Sequence, residues 1–240
     1  MTSGNGSVRP LVVVGSGGFG RETVEAVRAI NAERRTWDLL GFLDDDPTLH
    51  GTEIDGVPVL GPIDDARTRF ESAQLVVCTG HPGNYFSRRS IVERLGLPPG
   101  RYGTVVHPAA SVSTTSKVGH GSVLLAHVVA TASVRIGAHV AVMPGVVFTH
   151  DDRVDDYGTF GAGVRLAGRV HVEEGAYVGS GSLVREDRTV GAWSLVGMGA
   201  VVTKDVPAAE VWAGVPARFL RSASSVSAPS EVGVGGESAR

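Results

Sequence analysis

Two hydrophobic patterns divide the chain, and the first covers residues 10–105. Apolar runs there predict strands at 11–15, 37–43, 57–60, 74–79 and 102–106, and apolar positions at helical spacing predict helices at 21–32, 63–70 and 85–95. Strands that alternate with helices are typical of a parallel sheet with helices on its faces. The pattern therefore predicts a small α/β, Rossmann-like domain over residues 10–106.

The second pattern starts after His107 and Pro108 and repeats every six residues. Every sixth position is apolar, without a break: Val112, Val118, Leu124, Ala130, Ile136, Val142, Phe148, Val154, Phe160, Leu166, Val172, Val178, Val184, Val190, Val196 and Val202. A period of six matches neither a helix nor a long strand. It indicates short strands joined by tight turns, each strand pointing one apolar side chain inward. The 33 glycines of the chain fit such a tightly turning backbone.

Composition excludes several classes of function. A chain of 240 residues has room for two modest domains, and its net charge of −3 argues against binding to nucleic acid. No apolar run approaches the roughly 20 residues that span a bilayer, and residues 1–10 lack the apolar core of a secretory signal. We therefore expect a cytoplasmic protein. Cys78 lies within an apolar run, which predicts a buried strand residue rather than a nucleophile.

A glycine-rich loop follows the first predicted strand. Gly15, Gly17 and Gly20 form a complete G-x-G-x-x-G, the spacing that lets backbone amides and a helix N-terminus approach an anion. An acidic run about 20 residues later, 44–46, could accept hydrogen bonds from ribose hydroxyls. The loop could bind a nucleotide-bearing substrate, bind NAD, or be a purely structural turn.

The combination of motifs resembles one branch of the hexapeptide-repeat acyltransferases. The glycine loop, "GFLDDDP" on the second strand, the six-residue repeat and a late "AGVPAR" are similar to the sialic acid O-acetyltransferases and to the bacterial N-acetyltransferases of UDP-linked 4-amino sugars. The resemblance covers about residues 10–221. It implies a left-handed parallel β-helix over 107–221 with 18 residues per coil, about five coils in 112–203 and a closing segment at 203–221. Residues 1–9 and 222–240 are expected to be disordered ends.

In the resembled branch the glycine loop receives a nucleotide sugar. The resemblance carries this role to Ser16, Gly17, Gly18, Asp44 and Asp45, and to Gly80 and Asn84 in a second loop. Arg88 could bind phosphate there, although a solvated helix start would also explain it. NAD binding is not expected, because only about 95 residues precede the repeats and little room is left for a full dinucleotide fold with a catalytic domain.

Acyl transfer needs a base, and histidine suits that role because its pKa lies near neutrality. His150 stands out among the histidines of the repeats because two aspartates follow it directly. In the resembled branch a histidine–acid pair occupies this point, which implies His150 as general base and Asp151 as its partner. A metal site built from these residues is not expected, because neighbours on a strand point to opposite faces.

The resemblance also implies acetyl-CoA as co-substrate, bound in a groove between adjacent subunits of a homotrimer. Gly168 lies one coil after His150, and Gly168, Gly179 and Gly197 are expected along the pantetheine, although turn geometry alone would also explain these glycines. The sequence departs from the branch at Met143, where an asparagine holds the acceptor amine, and at Thr159, where a second histidine lies near CoA. Thr159 is expected at the cofactor.

The sequence thus predicts an acetyl-CoA-dependent acyltransferase that modifies an amine or hydroxyl of a sugar or nucleotide-linked sugar. The alternatives are a non-catalytic nucleotide-binding trimeric module, an acyltransferase with a non-sugar acceptor such as a secondary metabolite, and an NAD-dependent enzyme. The intact pair of His150 and Asp151 argues against the first, and the lack of a second catalytic domain argues against the last.

Overall fold

The computed structural model of the chain describes residues 8–223. Most of the two segments that we predict to be disordered, 1–9 and 222–240, lies outside the described residues. Within the described part, the first strand begins at Arg9 and the last strand ends at Ser222. No helix between residues 8 and 223 is long and apolar enough to cross a membrane.

The amino-terminal part is a small α/β domain. Its elements are β1 (Arg9–Val14), α1 (Gly18–Glu33), β2 (Trp37–Leu43), β3 (Glu53–Ile54), β4 (Val57–Pro58), β5 (Gln74–Val77) and α2 (Ser87–Leu95), with short 3-10 helices at Pro47–Leu49, Ile63–Arg67 and Pro99–Arg101. Strands β2, β1 and β5 form a parallel sheet in that order, which confirms the predicted sheet. The helix predicted at 63–70 is wrong in type and length, because only a 3-10 helix forms there.

The central strand β1 explains the stability of this sheet. Leu11, Val12, Val13 and Val14 are completely buried, as expected for a strand covered on both faces. Cys78 directly follows β5 and is also buried, and burial raises the pKa of its thiol to about 12. The thiol therefore stays protonated and packs as a small apolar group.

The remaining strands form a three-sided parallel β-helix. Its strands are β6 (Val105–Val106), β7 (Ser111–Val112), β8 (Lys117–Val118), β9 (Val123–Leu124), β10 (Val129–Ala130), β11 (Arg135–Ile136), β12 (Ala141–Val142), β13 (Val147–Phe148), β14 (Arg153–Val154), β15 (Thr159–Phe160), β16 (Arg165–Leu166), β17 (His171–Val172), β18 (Tyr177–Val178), β19 (Leu183–Val184), β20 (Thr189–Val190), β21 (Leu195–Val196), β22 (Val201–Val202), β23 (Glu210–Ala213) and β24 (Arg218–Ser222). From β6 to β22, each strand pairs with one 18 residues away, as Arg135 does with Arg153, which confirms the predicted coil length.

The strands line three faces. Face 1 contains β7, β10, β13, β16, β19 and β22; face 2 contains β8, β11, β14, β17 and β20; face 3 contains β6, β9, β12, β15, β18, β21, β23 and β24. The segment predicted as a strand at 102–106 contributes to both sheets: Tyr102 forms a parallel bridge with Leu75 of β5, whereas β6 pairs with β9 on face 3. The last two strands are an antiparallel hairpin added to face 3, as expected for the closing segment.

Four-residue turns connect the faces at three corners. We name them corner A (113–116, 131–134, 149–152, 167–170, 185–188), corner B (119–122, 137–140, 155–158, 173–176, 191–194) and corner C (107–110, 125–128, 143–146, 161–164, 179–182, 197–200). At most turns the third residue has a left-handed backbone, with φ of 63° at Asp151 and 70° at Gly163. This conformation closes each turn in four residues, which explains the glycines at the third positions of corner C, such as Gly163.

The six-residue repeat fills the interior of the β-helix. Its apolar positions from Leu124 to Val202 are buried and form one continuous cluster, while Val112 and Val118 at the first coil are only partly buried. Each coil therefore contributes three inward side chains that stack on those of the coils above and below.

The α/β domain packs on face 3. Val105, Val123 and Leu125 of the β-helix belong to the same hydrophobic cluster as Leu11 and Val13 of β1. Face 3 thus covers one side of the first domain, and the glycine loop and the second loop lie on that domain.

Arg88 fastens α2 to corner B. Its side chain is 1% exposed, and it donates hydrogen bonds to the carbonyl oxygens of His139 (2.7 Å) and Tyr157 (2.8 Å). Arg88 is therefore neither of the two things that the sequence suggests, a phosphate ligand or a solvated helix residue. Its guanidinium is buried, and its donors are used within the protein.

Candidate active site

His150 and Asp151 form a hydrogen-bonded pair at corner A, between β13 and β14. The Nδ1 atom of His150 lies 2.9 Å from a carboxylate oxygen of Asp151, and both side chains are about half exposed. Strand alternation does not apply at this corner. Asp151 has a φ of 63°, and the left-handed turn lets two successive side chains meet. Strand alternation is therefore the wrong geometry for this corner and does not exclude a metal site here.

The pairing has a chemical consequence for His150. When Asp151 accepts a hydrogen bond from Nδ1–H, the neutral imidazole keeps Nε2 free to take a proton, and the carboxylate stabilises the imidazolium that results. Between residues 8 and 223, no group of three or more histidine, cysteine, aspartate or glutamate side chains is arranged to hold a metal ion. Through this hydrogen bond, His150 and Asp151 could act as a general base and its orienting acid.

Gly168 lies directly against the imidazole of His150 in the next coil. A Cβ atom at position 168 would overlap Cε1 and Nε2 of the ring. The backbone amide of Arg169 donates to the carbonyl oxygen of His150 (3.0 Å), which ties the two coils together at this point. The absence of a side chain at 168 is therefore what allows the ring to occupy its position.

Asp152 is the other acid of the turn, and it points inward. Its side chain is 1% exposed and accepts hydrogen bonds from the amides of Thr149 (2.8 Å) and Val170 (2.9 Å). Burial raises the pKa of this carboxyl to about 7, although the two amides oppose the shift. The resemblance implies Asp151 as the partner of His150, and the turn geometry shows how the two acids differ: Asp151 faces the ring, while Asp152 points into the interior.

The glycine loop contains two glycines that the fold requires and two that it does not. Gly15 has a φ of 94°, and a Cβ atom on Gly20 would overlap the carbonyl oxygen of Gly15. A Cβ atom on Gly17 or Gly18, in contrast, would meet nothing within 4 Å. Helix α1 begins at Gly18 without a side-chain cap. Its first amides therefore face open space, where an anion can approach them.

Asp44 holds this loop from the end of β2. One carboxylate oxygen accepts hydrogen bonds from the hydroxyl (2.6 Å) and the amide (2.9 Å) of Ser16. Burial alone would raise the pKa of Asp44, but the hydrogen bonds from Ser16 and from the amide of Asp46 outweigh it and lower the pKa. Asp45 points elsewhere and pairs with Arg94 (2.8 Å). The structure thus brings Ser16, Gly17, Gly18 and Asp44 together and directs Asp45 toward α2.

The second loop begins at Gly80, directly after Thr79. Gly80 has a φ of 122°, and a Cβ atom there would lie 3.4 Å from the guanidinium of Arg88. Asn84 is exposed, and its backbone N–H donates to the carbonyl oxygen of His81 (2.8 Å). The buried Arg88 thus lies beneath the start of this loop, and the side chain of Asn84 remains accessible.

An apolar groove runs along face 3 beside this loop. It is lined by Pro82, Tyr177, Gly179, Ser180, Leu195, Val196, Gly197 and Met198. Met198 is 79% exposed, which is unusual for a side chain of this type. Coil packing explains the glycine at 179, because a Cβ atom there would lie 2.6 Å from the amide nitrogen of Met198. Gly179 and Gly197 lie at corner C, whereas Gly168 lies at corner A.

Thr159 and Met143, the two departures from the resembled pattern, both lie at the domain junction. Thr159 is 5% exposed, and its hydroxyl accepts a hydrogen bond from Arg88 (2.6 Å). Met143 packs against the hydrophobic cluster of the α/β domain, as Phe19 of the glycine loop also does. The predicted contact of Thr159 with the cofactor stays a prediction.

Comparisons with known proteins agree with this architecture. The family model of the PglD N-terminal domain matches residues 10–95. GDP-perosamine N-acetyltransferase of Escherichia coli is 30% identical over 215 residues, which cover 87% of this chain and 95% of the relative. The chain belongs to the sugar N-acetyltransferases of the hexapeptide-repeat family. The predicted acyltransferase class and the left-handed β-helix are confirmed.

Two solved structures of this acetyltransferase family have the same fold. The acetyltransferase domain of PglB from Neisseria gonorrhoeae, in complex with acetyl coenzyme A, matches with a TM-score of 0.77 and 28% identity over 89% of this chain and 100% of that chain. A histidine-to-asparagine variant of perosamine N-acetyltransferase from Caulobacter crescentus, in complex with CoA and GDP-perosamine, also has a TM-score of 0.77 and 28% identity, over 89% of this chain and 98% of that chain.

Proposed function

We propose that the acetyltransferase transfers an acetyl group from acetyl-CoA to the amine of a nucleotide-linked amino sugar, with His150 as general base. The observation that carries this proposal is the pair of His150 and Asp151, held 2.9 Å apart directly against Gly168. The acetyl-CoA and GDP-perosamine bound in related enzymes support the two substrate classes.

In this mechanism the amine of the acceptor attacks the carbonyl carbon of the thioester. Nε2 of His150 takes the proton that the nitrogen loses, and the carboxylate of Asp151 offsets the charge of the imidazolium. The attack forms a tetrahedral intermediate, which collapses as the bond between carbon and sulfur breaks. The proton held by His150 then passes to the leaving thiolate, which regenerates the base. The products are an amide and free CoA.

The nucleotide part of the acceptor binds at the glycine loop in this proposal. The open positions 17 and 18 let phosphate oxygens reach the first amides of α1, and Asp44 fixes the loop through Ser16. Gly80 and Asn84 border the same site from the second loop. Asp45 contributes less directly, because its carboxylate already pairs with Arg94.

The arrangement of the corners supports a homotrimer. Gly168 and His150 share corner A, whereas Gly179 and Gly197 begin turns of corner C and the acceptor loops lie on the domain that covers face 3. One acetyl-CoA could contact all three glycines if it lay between corner A of one chain and corner C of another. A cyclic assembly places corner A of one chain against face 3 of the next, and three such contacts close a ring. CoA then occupies the groove between them.

The test is the substitution of the base. His150→Ala should lower kcat by about 10²–10⁴-fold, because general-base assistance is worth that much. The Kd of CoA should change little, since the ring acts in the transition state. The assay is thiol release from acetyl-CoA with a panel of UDP-, GDP- and dTDP-linked amino sugars. His127, an exposed turn residue at corner C with a φ of 61°, offers the control His127→Asn.

Two results would contradict the proposal. A His150→Ala enzyme that keeps more than about a third of the wild-type kcat would exclude His150 as the base. Thiol release that no nucleotide-linked amino sugar stimulates, while a free sugar or an unrelated amine does, would exclude the acceptor class.

A further inference from the structure

Asp152 occupies a position that core residues fill in the neighbouring coils. It is the fourth residue of its turn at corner A, and the fourth residues of the turns above and below are Val134 and Val170. Both valines are at most 1% exposed and belong to the interior cluster of the β-helix. A carboxyl group therefore lies in the core between two valines, in the same turn as His150.

The carboxylate changes the hydrogen bonding of the backbone directly before His150. The first amides of the adjacent turns, Thr131 and Ala167, donate to strand carbonyls of the next coil at 3.1 and 2.9 Å. Thr149 breaks this series, because its amide donates to Asp152 at 2.8 Å. The second oxygen of Asp152 accepts from the amide of Val170 in the next coil. Asp152 thus links the residue before His150 to the turn that contains Gly168.

A second polar residue of corner A shows what a purely structural link looks like. Ser116 is the fourth residue of its own turn, and its hydroxyl accepts from the amide of Val134 at 3.1 Å. The first amide of that turn, Ser113, still donates to the carbonyl of Ala130 in the regular way. A serine therefore suffices to connect two coils. The additional bond to the first amide belongs to the turn of His150.

The two hydrogen bonds from amides stabilise the carboxylate, but its burial opposes them. A buried charge without a cationic partner costs free energy, and a valine would fit the interior at this position as it does at 134 and 170. No ion pair of Asp152 occurs within residues 8–223. The raised pKa of Asp152 has the same origin, because burial disfavours its charged form. A costly group retained beside the reacting residue indicates a role in function.

We propose that Asp152 is a positioning residue for His150. By binding the amides of Thr149 and Val170 at the same time, it fixes the position of the imidazole relative to Gly168 in the next coil. This inference rests on the proposed role of His150 as the base. Asp152 itself touches neither substrate. It acts on the rate through the placement of the ring, where an error of about 1 Å can cost a hundredfold.

The experiment compares activity with stability in three variants. Asp152→Val should restore the apolar pattern of positions 134 and 170 and lower kcat about 10- to 100-fold. Its stability is measured alongside, because the variant removes a buried carboxyl but also two hydrogen bonds from the amides of Thr149 and Val170. The KM for acetyl-CoA should change less than about twofold, because the binding surfaces stay in place. Asp152→Ser, which can keep only the link between the coils as Ser116 does, should also lose kcat. Ser116→Val is the control at the same corner and should keep the wild-type kcat.

His150→Ala, measured alongside, separates this inference from the proposed function. If His150→Ala is inactive but Asp152→Val and Asp152→Ser both keep the wild-type kcat, Asp152 only connects coils and the inference is wrong. If kcat falls in Asp152 variants only in step with lost stability, and Ser116→Val loses kcat to the same degree, the inference is equally wrong. If His150→Ala stays active, the base itself is misassigned, whatever the Asp152 variants do.

Discussion

Arg88 donates a 2.6 Å hydrogen bond to the hydroxyl of Thr159, across the junction between the α/β domain and the β-helix. The same nitrogen, Nη2, also donates to the carbonyl oxygen of Tyr157, while Nε and Nη1 donate to those of His139 and Thr79. Burial lowers the pKa of Arg88 to about 10, so the group is still charged at neutral pH. One buried cation thus holds the start of the second loop at a fixed position on the β-helix.

Thr159→Val tests whether this residue serves the junction. The variant keeps the shape but removes the acceptor, and we expect a loss of about 1–3 kcal/mol in the free energy of unfolding, as for other buried donors left unpaired. Denaturant titration measures it, with the exposed Thr131→Val as control. A rise of about tenfold or more in the KM for acetyl-CoA at unchanged stability would instead assign Thr159 to the cofactor, as the sequence predicts.

Gly168→Ala tests the contact beneath the base. A Cβ atom at 168 would overlap Nε2 and Cε1 of His150, so the ring must move, and kcat should fall by about 10²-fold. The free energy of unfolding should change little, because the half-exposed imidazole can turn into solvent. Gly100→Ala is a suitable control, since a Cβ atom at position 100 meets nothing within 4 Å. Equal kcat in the two variants would show that the ring need not lie against residue 168.

The sequence predicts the repetitive part of this structure better than its exceptions. A period of six and a coil of 18 determine which residues share a face, so the interior from Leu124 to Val202 and the proximity of Gly168 to His150 follow from counting. The partners of Arg88 do not, because they lie 51 and 69 residues away on another domain. The turn at Asp151 is likewise invisible to strand alternation, which gives the wrong geometry for the pair with His150.

Asp44→Ala tests the nucleotide site. Removing the carboxylate leaves both the backbone amide and the hydroxyl of Ser16 without their acceptor. The glycine loop then loses the two hydrogen bonds that hold it to the end of β2. The Kd of a nucleotide sugar should rise about tenfold or more, the value of one charged hydrogen bond, while the Kd of CoA stays constant. Calorimetry measures both, with the exposed Asp38→Ala on β2 as control. Tighter binding of NADH than of any nucleotide sugar would restore the dinucleotide interpretation of the loop.

Asp152 should make stability depend on pH in a defined direction. Its pKa rises from an ordinary value near 4 to about 7 in the folded protein, so the folded state holds a proton that the unfolded state releases in this window. Stability from this group is fully present below pH 4 and is lost as the pH rises through 7. The free energy of unfolding of Asp152→Val relative to the wild type should therefore rise from pH 4 to pH 7. The charges of His150 and Asp151 act on both proteins alike, and a constant difference would show that the carboxyl is not shifted.

Mixed assemblies test whether one site needs two chains. A chain with His150→Ala keeps its own acceptor loops and groove but lacks the base. A chain with Gly17→Trp keeps the base, and the indole fills the open space above the glycine loop, where no protein atom lies within 4 Å of a Cβ. Each variant alone should be inactive in thiol release with the acceptor. When the two variants are co-expressed in equal amounts, they should form mixed rings. At some interfaces, corner A of a Gly17→Trp chain, with its intact His150, will then face the intact glycine loop of a His150→Ala chain.

The recovery has a predictable size. With random assembly, half of the chains supply a working base and half supply a working loop, so about a quarter of the wild-type activity per chain should return. A mixture of His150→Ala with Gly168→Ala gives the matched control. Both changes affect corner A, so every interface in that mixture keeps one defect of the base, and its activity should stay at the level of the two variants alone. If the first mixture recovers no more than this control, the base and the acceptor loops of each site come from the same chain, and the shared site of the proposed trimer is wrong.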